Sequence, residues 1–89
     1  MKEFYHTIKD KNGLHARPAG KLATEAKKYE SDIKVFMQDK EADGKRLLSL
    51  MALGAKLGAE LHFIINGSDE DTAQKELMQC CKESLDGEK

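Results

Sequence analysis

Leu61-His62-Phe63-Ile64-Ile65-Asn66-Gly67-Ser68-Asp69-Glu70-Asp71 sets a strand directly before a helix. Leu61, Phe63 and Ile65 alternate with Glu60, His62 and Ile64. That period of two sends one set of side chains to a core and the other to the opposite face. Gly67 closes the run, and Ser68 to Asp71 supply a cap and an acidic first turn, suited to the positive end of a helix. The helix that follows turns Ala73, Leu77 and Cys81 inward at four-residue spacing.

The same two periods organise the chain on the N-terminal side. Phe4, His6 and Ile8 alternate with Glu3, Tyr5 and Thr7 as a first strand over Lys2 to Ile8, which Asp10-Lys11-Asn12-Gly13 breaks with turn residues. From Ala16 to Tyr29, Ala19, Leu22, Ala23 and Ala26 recur at helical spacing, and Pro18 sits in the first turn, where its missing N–H costs nothing. A turn at Glu30-Ser31-Asp32 leads to a strand with Ile33, Val35 and Met37 on one face and Lys34, Phe36 and Gln38 on the other. A short polar strand follows around Lys40 to Ala42, then a leucine-rich helix that stops at Gly54. The predicted order is β-α-β-β-α-β-α, an open-faced α+β sandwich: a four-stranded antiparallel sheet with three helices on one face. Its other face carries Tyr5, Phe36, His62 and Ile64, read as ordinary exposed apolar area.

Composition narrows the function. The 89 residues suit one small domain spanning 1–89, with disorder confined to Asp86 through Lys89. Fifteen Lys plus Arg against sixteen Asp plus Glu leave a net charge of -1, which argues against non-specific nucleic-acid binding. No apolar run approaches the ~20 residues that span a bilayer. Met1-Lys2-Glu3-Phe4 has no signal-peptide core, so no membrane insertion and a cytoplasmic location are expected. Cys80 and Cys81, neighbours on a helix, point about 100° apart and read as reduced thiols, Cys81 toward the core. His6, His15 and His62 lack metal-ligand spacing, and His6 reads as a packed or edge histidine. Neither a metal nor a cofactor is called for.

Chemistry concentrates at Gly13-Leu14-His15-Ala16-Arg17-Pro18-Ala19, the junction of the first strand and first helix. His15 falls at the N-cap, where Ser, Thr, Asp or Asn would satisfy the first-turn amides and histidine does so poorly. A helix start offers N–H donors and roughly half a positive charge, which suits a phosphate. A phosphoryl group on His15 would fill the cap, with the Ala16 and Arg17 amides as its backbone donors. The Arg17 guanidinium matches phosphate oxygens with a planar fork of donors. The same surroundings disfavour a protonated imidazole, leaving a neutral ring as nucleophile. By themselves these residues describe an anion site and no reaction.

That heptapeptide resembles the phosphorylation-site signature of the HPr family. The likeness extends over nearly the whole chain, through the helix ending Leu53-Gly54, Gly58-Ala59-Glu60, and Gly67-Ser68-Asp69-Glu70-Asp71. The resemblance implies a phosphocarrier that takes a phosphoryl group from phosphoenolpyruvate through Enzyme I onto Nδ1 of His15, with Arg17 steadying it. The group would then pass to an Enzyme II A domain in sugar uptake. Such a chain is a stoichiometric carrier rather than a catalyst, and is expected to be a monomer. With Leu50 and Leu53 inward, Leu47, Leu48 and Met51 fall outward beside the first helix as a docking patch. Lys21, Lys27, Lys28, Lys45 and Arg46 would form a basic rim that steers acidic partners.

Arg46 is the main departure from the family pattern, because many members begin the second helix with a serine that a regulatory kinase phosphorylates. Arginine offers no hydroxyl, so control of that type is not expected. Ser49 reads as a small exposed residue, and Asp43 is an alternative cap for the helix. Two other readings stand beside sugar uptake. One is a carrier for a nitrogen-regulatory or dihydroxyacetone kinase branch. The other is an HPr-like regulatory module, whose usual mark, loss of the histidine, is absent here.

Overall fold

A computed structural model describes residues 1–86. Its elements are β1 (Lys2–Thr7), α1 (Ala16–Ala26), β2 (Asp32–Met37), β3 (Lys40–Asp43), α2 (Leu47–Met51), β4 (Glu60–Asn66) and α3 (Glu70–Leu85). The sheet order is β1-β4-β2-β3, and every pairing is antiparallel. This is the expected open-faced sandwich. None of these helices is long and apolar enough to cross a membrane.

Register follows from alternation, because a slip of one residue would turn every core side chain outward. Phe63 on β4 faces Phe4 on β1 and Val35 on β2, and the two phenyl rings stack with centroids 4.6 Å apart. Leu61, Phe63 and Ile65 are buried with Ile33 and Val35 against Leu22, Leu50, Leu77 and Leu85 from the helices. On the other face Tyr5 stacks on the His62 ring at 4.1 Å, and Phe36 approaches the same ring at 6.2 Å. His62 Nε2 lies 2.6 Å from Glu3 Oε1, so that face carries a polar latch as well as apolar area.

Differences from the expected local details have physical causes. The first helix ends at Ala26 rather than Tyr29, and Lys45 Nζ donates to the Tyr29 carbonyl, tying the segment after α1 to the turn before α2. Asp43 does not cap α2: its carboxylate accepts from the Lys45 amide, and Arg46 stands at the N-cap without a side-chain bond. Ser49 is half-buried rather than exposed, its hydroxyl accepting the Asp43 amide. Asp69 occupies the N-cap of α3 yet gives that helix no side-chain bond. Its carboxylate instead accepts the Glu30 and Ser31 amides and the Ser31 hydroxyl, fastening α3 to the start of β2. His6 is held at 2.9 Å by Asp86, so that residue is tied down; Gly87 to Lys89, also expected to be disordered, lie outside the described residues. Burial pushes the Cys81 thiol, and to a lesser degree the Cys80 thiol, above the ordinary range, and both remain free cysteines.

Two outcomes test this packing. Leu50 is fully buried and Leu48 is 78% exposed on the same helix. Urea denaturation should show Leu50→Ala losing about 2–5 kcal/mol, and Leu48→Ala losing no more than about 0.5 kcal/mol. The Ser31 hydroxyl, then the Glu30 amide, hold the Asp69 carboxyl below its ordinary 3.8 in the folded state. A depressed folded value means stabilisation present above the unfolded value and lost as pH falls through the folded one. The stability gap between wild type and Asp69→Ala should therefore be full above about pH 4 and narrow below it.

Candidate functional site

The site is a junction held from both sides. The Ile8 amide donates to the Ala59 carbonyl at 2.8 Å, ending β1 against the residue before β4. The next two amides, of Lys9 and Asp10, both donate to the Leu85 carbonyl at the C-terminal end of α3, at 2.8 and 3.0 Å. Gly13 then turns with φ +68, and a Cβ there would run into the Ala55 carbonyl. That oxygen accepts the Leu14 amide at 3.0 Å, so the backbone reaches His15 in a fixed direction. Only glycine combines the left-handed conformation with so close an approach.

His15 is the N-cap of α1, with extended backbone at φ -89 and ψ -173, and no side chain caps the helix. Its carbonyl accepts the first intrahelical bond, from Ala19, at 3.0 Å. The amides of Ala16 and Arg17 belong to the first turn, which no i−4 carbonyl serves, and Pro18 contributes no N–H. The His15 side chain is 34% exposed, open to a reacting group while its Nε2 lies against Asp10. It shares a cleft of about 30 Å³ with Asp10, Arg17, Pro18, Lys21, Glu83 and Ser84. Half a helix dipole, a guanidinium and an ammonium thus surround a half-buried imidazole.

His15 and Arg17 come together as expected, with the first turn of α1 beside them. The proposed docking residues occupy α2 and the end of α1. Leu47, Leu48 and Met51 are exposed while Leu50 and Leu53 are buried, and Lys27 and Arg46 are exposed. The basic rim is uneven: Lys28 pairs with Glu25 at 3.0 Å, and Lys45 is spent on Tyr29.

Asp10 was read from the sequence as a turn residue only, yet it belongs to the site. It is 8% exposed, its Oδ1 accepts the Asn12 amide at 2.8 Å, and its Oδ2 lies 3.5 Å from His15 Nε2. The Asn12 amide is the main cause holding its carboxyl below the ordinary value; His15 and Arg17 add to it and burial opposes. A signal was available in Asp10-Lys11-Asn12-Gly13, since an aspartate that accepts the amide two residues on has a fixed carboxylate. Nothing in the linear spacing said that its second oxygen would face the histidine.

Comparison with known proteins bears on this geometry. Residues 2–83 match the family model described as the PTS HPr component phosphorylation site. The phosphocarrier protein HPr of Mycoplasma capricolum is 39% identical over 79 residues, covering 89% of each chain. The crystal structure of HPr-C-His from Thermoanaerobacter tengcongensis has a TM-score of 0.89 at 38% identity, covering 100% of this chain and 99% of that one. A structure described as an HPr dimer from the same organism has a TM-score of 0.74 at 39% identity, covering 99% and 100%.

Two glycine substitutions should move stability in opposite directions. Gly13→Ala meets both the strained φ and the Ala55 carbonyl and should cost at least about 1 kcal/mol. Gly20→Ala, inside α1 with nothing within 4 Å of an added Cβ, should gain about 0.5–1 kcal/mol. Thermal unfolding of the two variants beside wild type checks both signs.

Proposed function

As a member of the HPr family, this chain is a phosphocarrier of the phosphotransferase system, and we propose that it carries the phosphoryl group on Nδ1 of His15. The observation that supports this most is the half-buried imidazole at an uncapped helix start, in one cleft with Arg17. In loading, the Nδ1 lone pair attacks the phosphorus of the phosphorylated donor, Enzyme I charged by phosphoenolpyruvate. The donor bond breaks and its electron pair stays with the donor. The transferred oxygens are then served by the Ala16 and Arg17 amides and by the Arg17 guanidinium. Discharge to an Enzyme II A domain reverses the geometry, so the chain is consumed and regenerated as a stoichiometric carrier.

The docking surface in this reading is Leu47, Leu48 and Met51, with Lys27 and Arg46 at its margin. Exposed apolar side chains on the helix that packs against α1 provide contact area, and the cations provide steering. Arg46 at the start of α2 has no hydroxyl for a serine kinase, so the carrier works without that control. His15, Arg17 and Asp10 line one cleft of one chain, as action by a monomer requires; in this reading the carrier is cytoplasmic, a single domain over residues 1–89, and serves the sugar branch.

Incubation with phosphoenolpyruvate and Enzyme I, followed by intact mass measurement, tests the proposal. One acid-labile phosphoryl group should appear on wild type and none on His15→Ala. Arg17→Ala should load roughly tenfold to a hundredfold more slowly. Phosphoryl gain that persists in His15→Ala would overturn the assignment.

A further inference from the structure

The cleft holds a negative charge that binding a phosphoryl group does not call for. Asp10 is buried, and three of its polar groups are committed: its amide to the Leu85 carbonyl, its carbonyl to the Gly13 amide at 2.9 Å, and Oδ1 to the Asn12 amide. The carboxylate is therefore fixed, with Oδ2 at 3.5 Å from His15 Nε2. A buried carboxylate beside a site for a dianion opposes binding, and local rules are broken in this way where function needs it.

Nε2 and Nδ1 lie on opposite sides of the imidazole, so what meets one nitrogen decides what the other can do. We propose that Asp10 is a positioning residue for phosphoryl transfer. It holds a proton on Nε2 of His15, so that Nδ1 presents its lone pair before loading and becomes a good leaving group after it. This rests on the reading of His15 as the phosphoryl acceptor.

The chemistry balances without exchange of a proton with water. In loading, neutral imidazole with hydrogen on Nε2 attacks through Nδ1, and the product is a phosphorylated ring that still carries that proton. In discharge, the acceptor's nucleophile attacks phosphorus and the Nδ1–P bond breaks. Its electron pair returns to Nδ1, and neutral imidazole with hydrogen on Nε2 remains. Without the proton, the leaving group would be an imidazolate, a far poorer one. An aspartate that fixes the tautomer and steadies the charged ring of a histidine acts in the same way in hydrolytic triads.

The other charges around the ring come from both helices. Arg17 and Lys21 on α1 draw the phosphoryl oxygens and oppose the Nε2 proton, while Glu83 on α3 favours it. Among the described residues, Asp10 is the carboxylate within ion-pair distance of the ring. The Asn12 amide keeps its carboxyl below the ordinary range, so it remains charged at neutral pH.

The test loads wild type, Asp10→Asn and Asp10→Glu with phosphoramidate, which needs no Enzyme I. Phosphorus and nitrogen NMR identify the loaded nitrogen, and the rate of phosphoryl loss is followed against pH. Wild type should carry the group on Nδ1. In Asp10→Asn, which keeps an acceptor for the Asn12 amide, the pH at which loss slows should fall by about one unit or more. Asp10→Glu, which keeps the charge, should return the profile toward wild type even if it is less stable. Superimposable profiles for wild type and Asp10→Asn, or equal shifts in both variants, would overturn the proposal. Refusal of wild type to load from Enzyme I speaks against the carrier reading instead, so the two failures are distinguishable.

Discussion

The first turn of α1 begins at His15 with no side-chain oxygen to serve its amides, and the surrounding structure keeps that turn in place. The Leu85 carbonyl at the end of α3 receives two consecutive amides from the loop before it, and the Ala55 carbonyl beyond α2 receives the Leu14 amide. These oxygens come from two different parts of the helical layer, the end of α3 and the segment after α2. The core of Leu22, Leu50, Leu77 and Leu85 against Phe63 and Ile65 thus does more than stabilise: it fixes the distance between the two clamps. A histidine at an N-cap is a local conflict, and it persists because the tertiary structure over-determines the turn around it.

The two layers divide the work. Helices α1 and α2 carry the reacting ring and the exposed Leu47, Leu48 and Met51, while α3 supplies Leu85 and Glu83 behind the cleft. The open face of the sheet lies away from this chemistry, with Tyr5, Phe36 and His62 packed on one another and Glu3 on the His62 ring. Electrostatics inside the cleft are mixed rather than simply positive. Arg17 and Lys21 favour the phosphoryl oxygens, and Asp10 and Glu83 act on the ring that bears them.

Much of the fold was legible because alternation and helical spacing are strong, local signals. Phe63 and Ile65 could face only the core once Gly67 and Asp69 marked the end of the strand and the start of α3. The outward turn of Leu47, Leu48 and Met51 followed from placing Leu50 and Leu53 inside. Long-range polar contacts were not legible. Asp69 looks like a cap for its own helix and instead fastens β2, because Glu30 and Ser31 amides reach it across 39 and 38 residues of chain. Asp43 looks like a cap and serves the turn before α2. Asp10 looks like turn chemistry, and its second oxygen faces His15 only because α3 returns to hold the loop. His15 and Arg17 were visible because their signal is contiguous; Asp10 completes the site through space.

In the proposed carrier, a phosphoryl group on His15 is received by the start of α1. Amide proton and nitrogen shifts of the phosphorylated protein, compared with the unphosphorylated one, measure this most directly. The largest changes should fall on the Ala16 and Arg17 amides, with downfield proton shifts and slowed hydrogen exchange as those donors take up phosphoryl oxygens. Unchanged Ala16 and Arg17 amides in a protein that carries one phosphoryl group on His15 would contradict it.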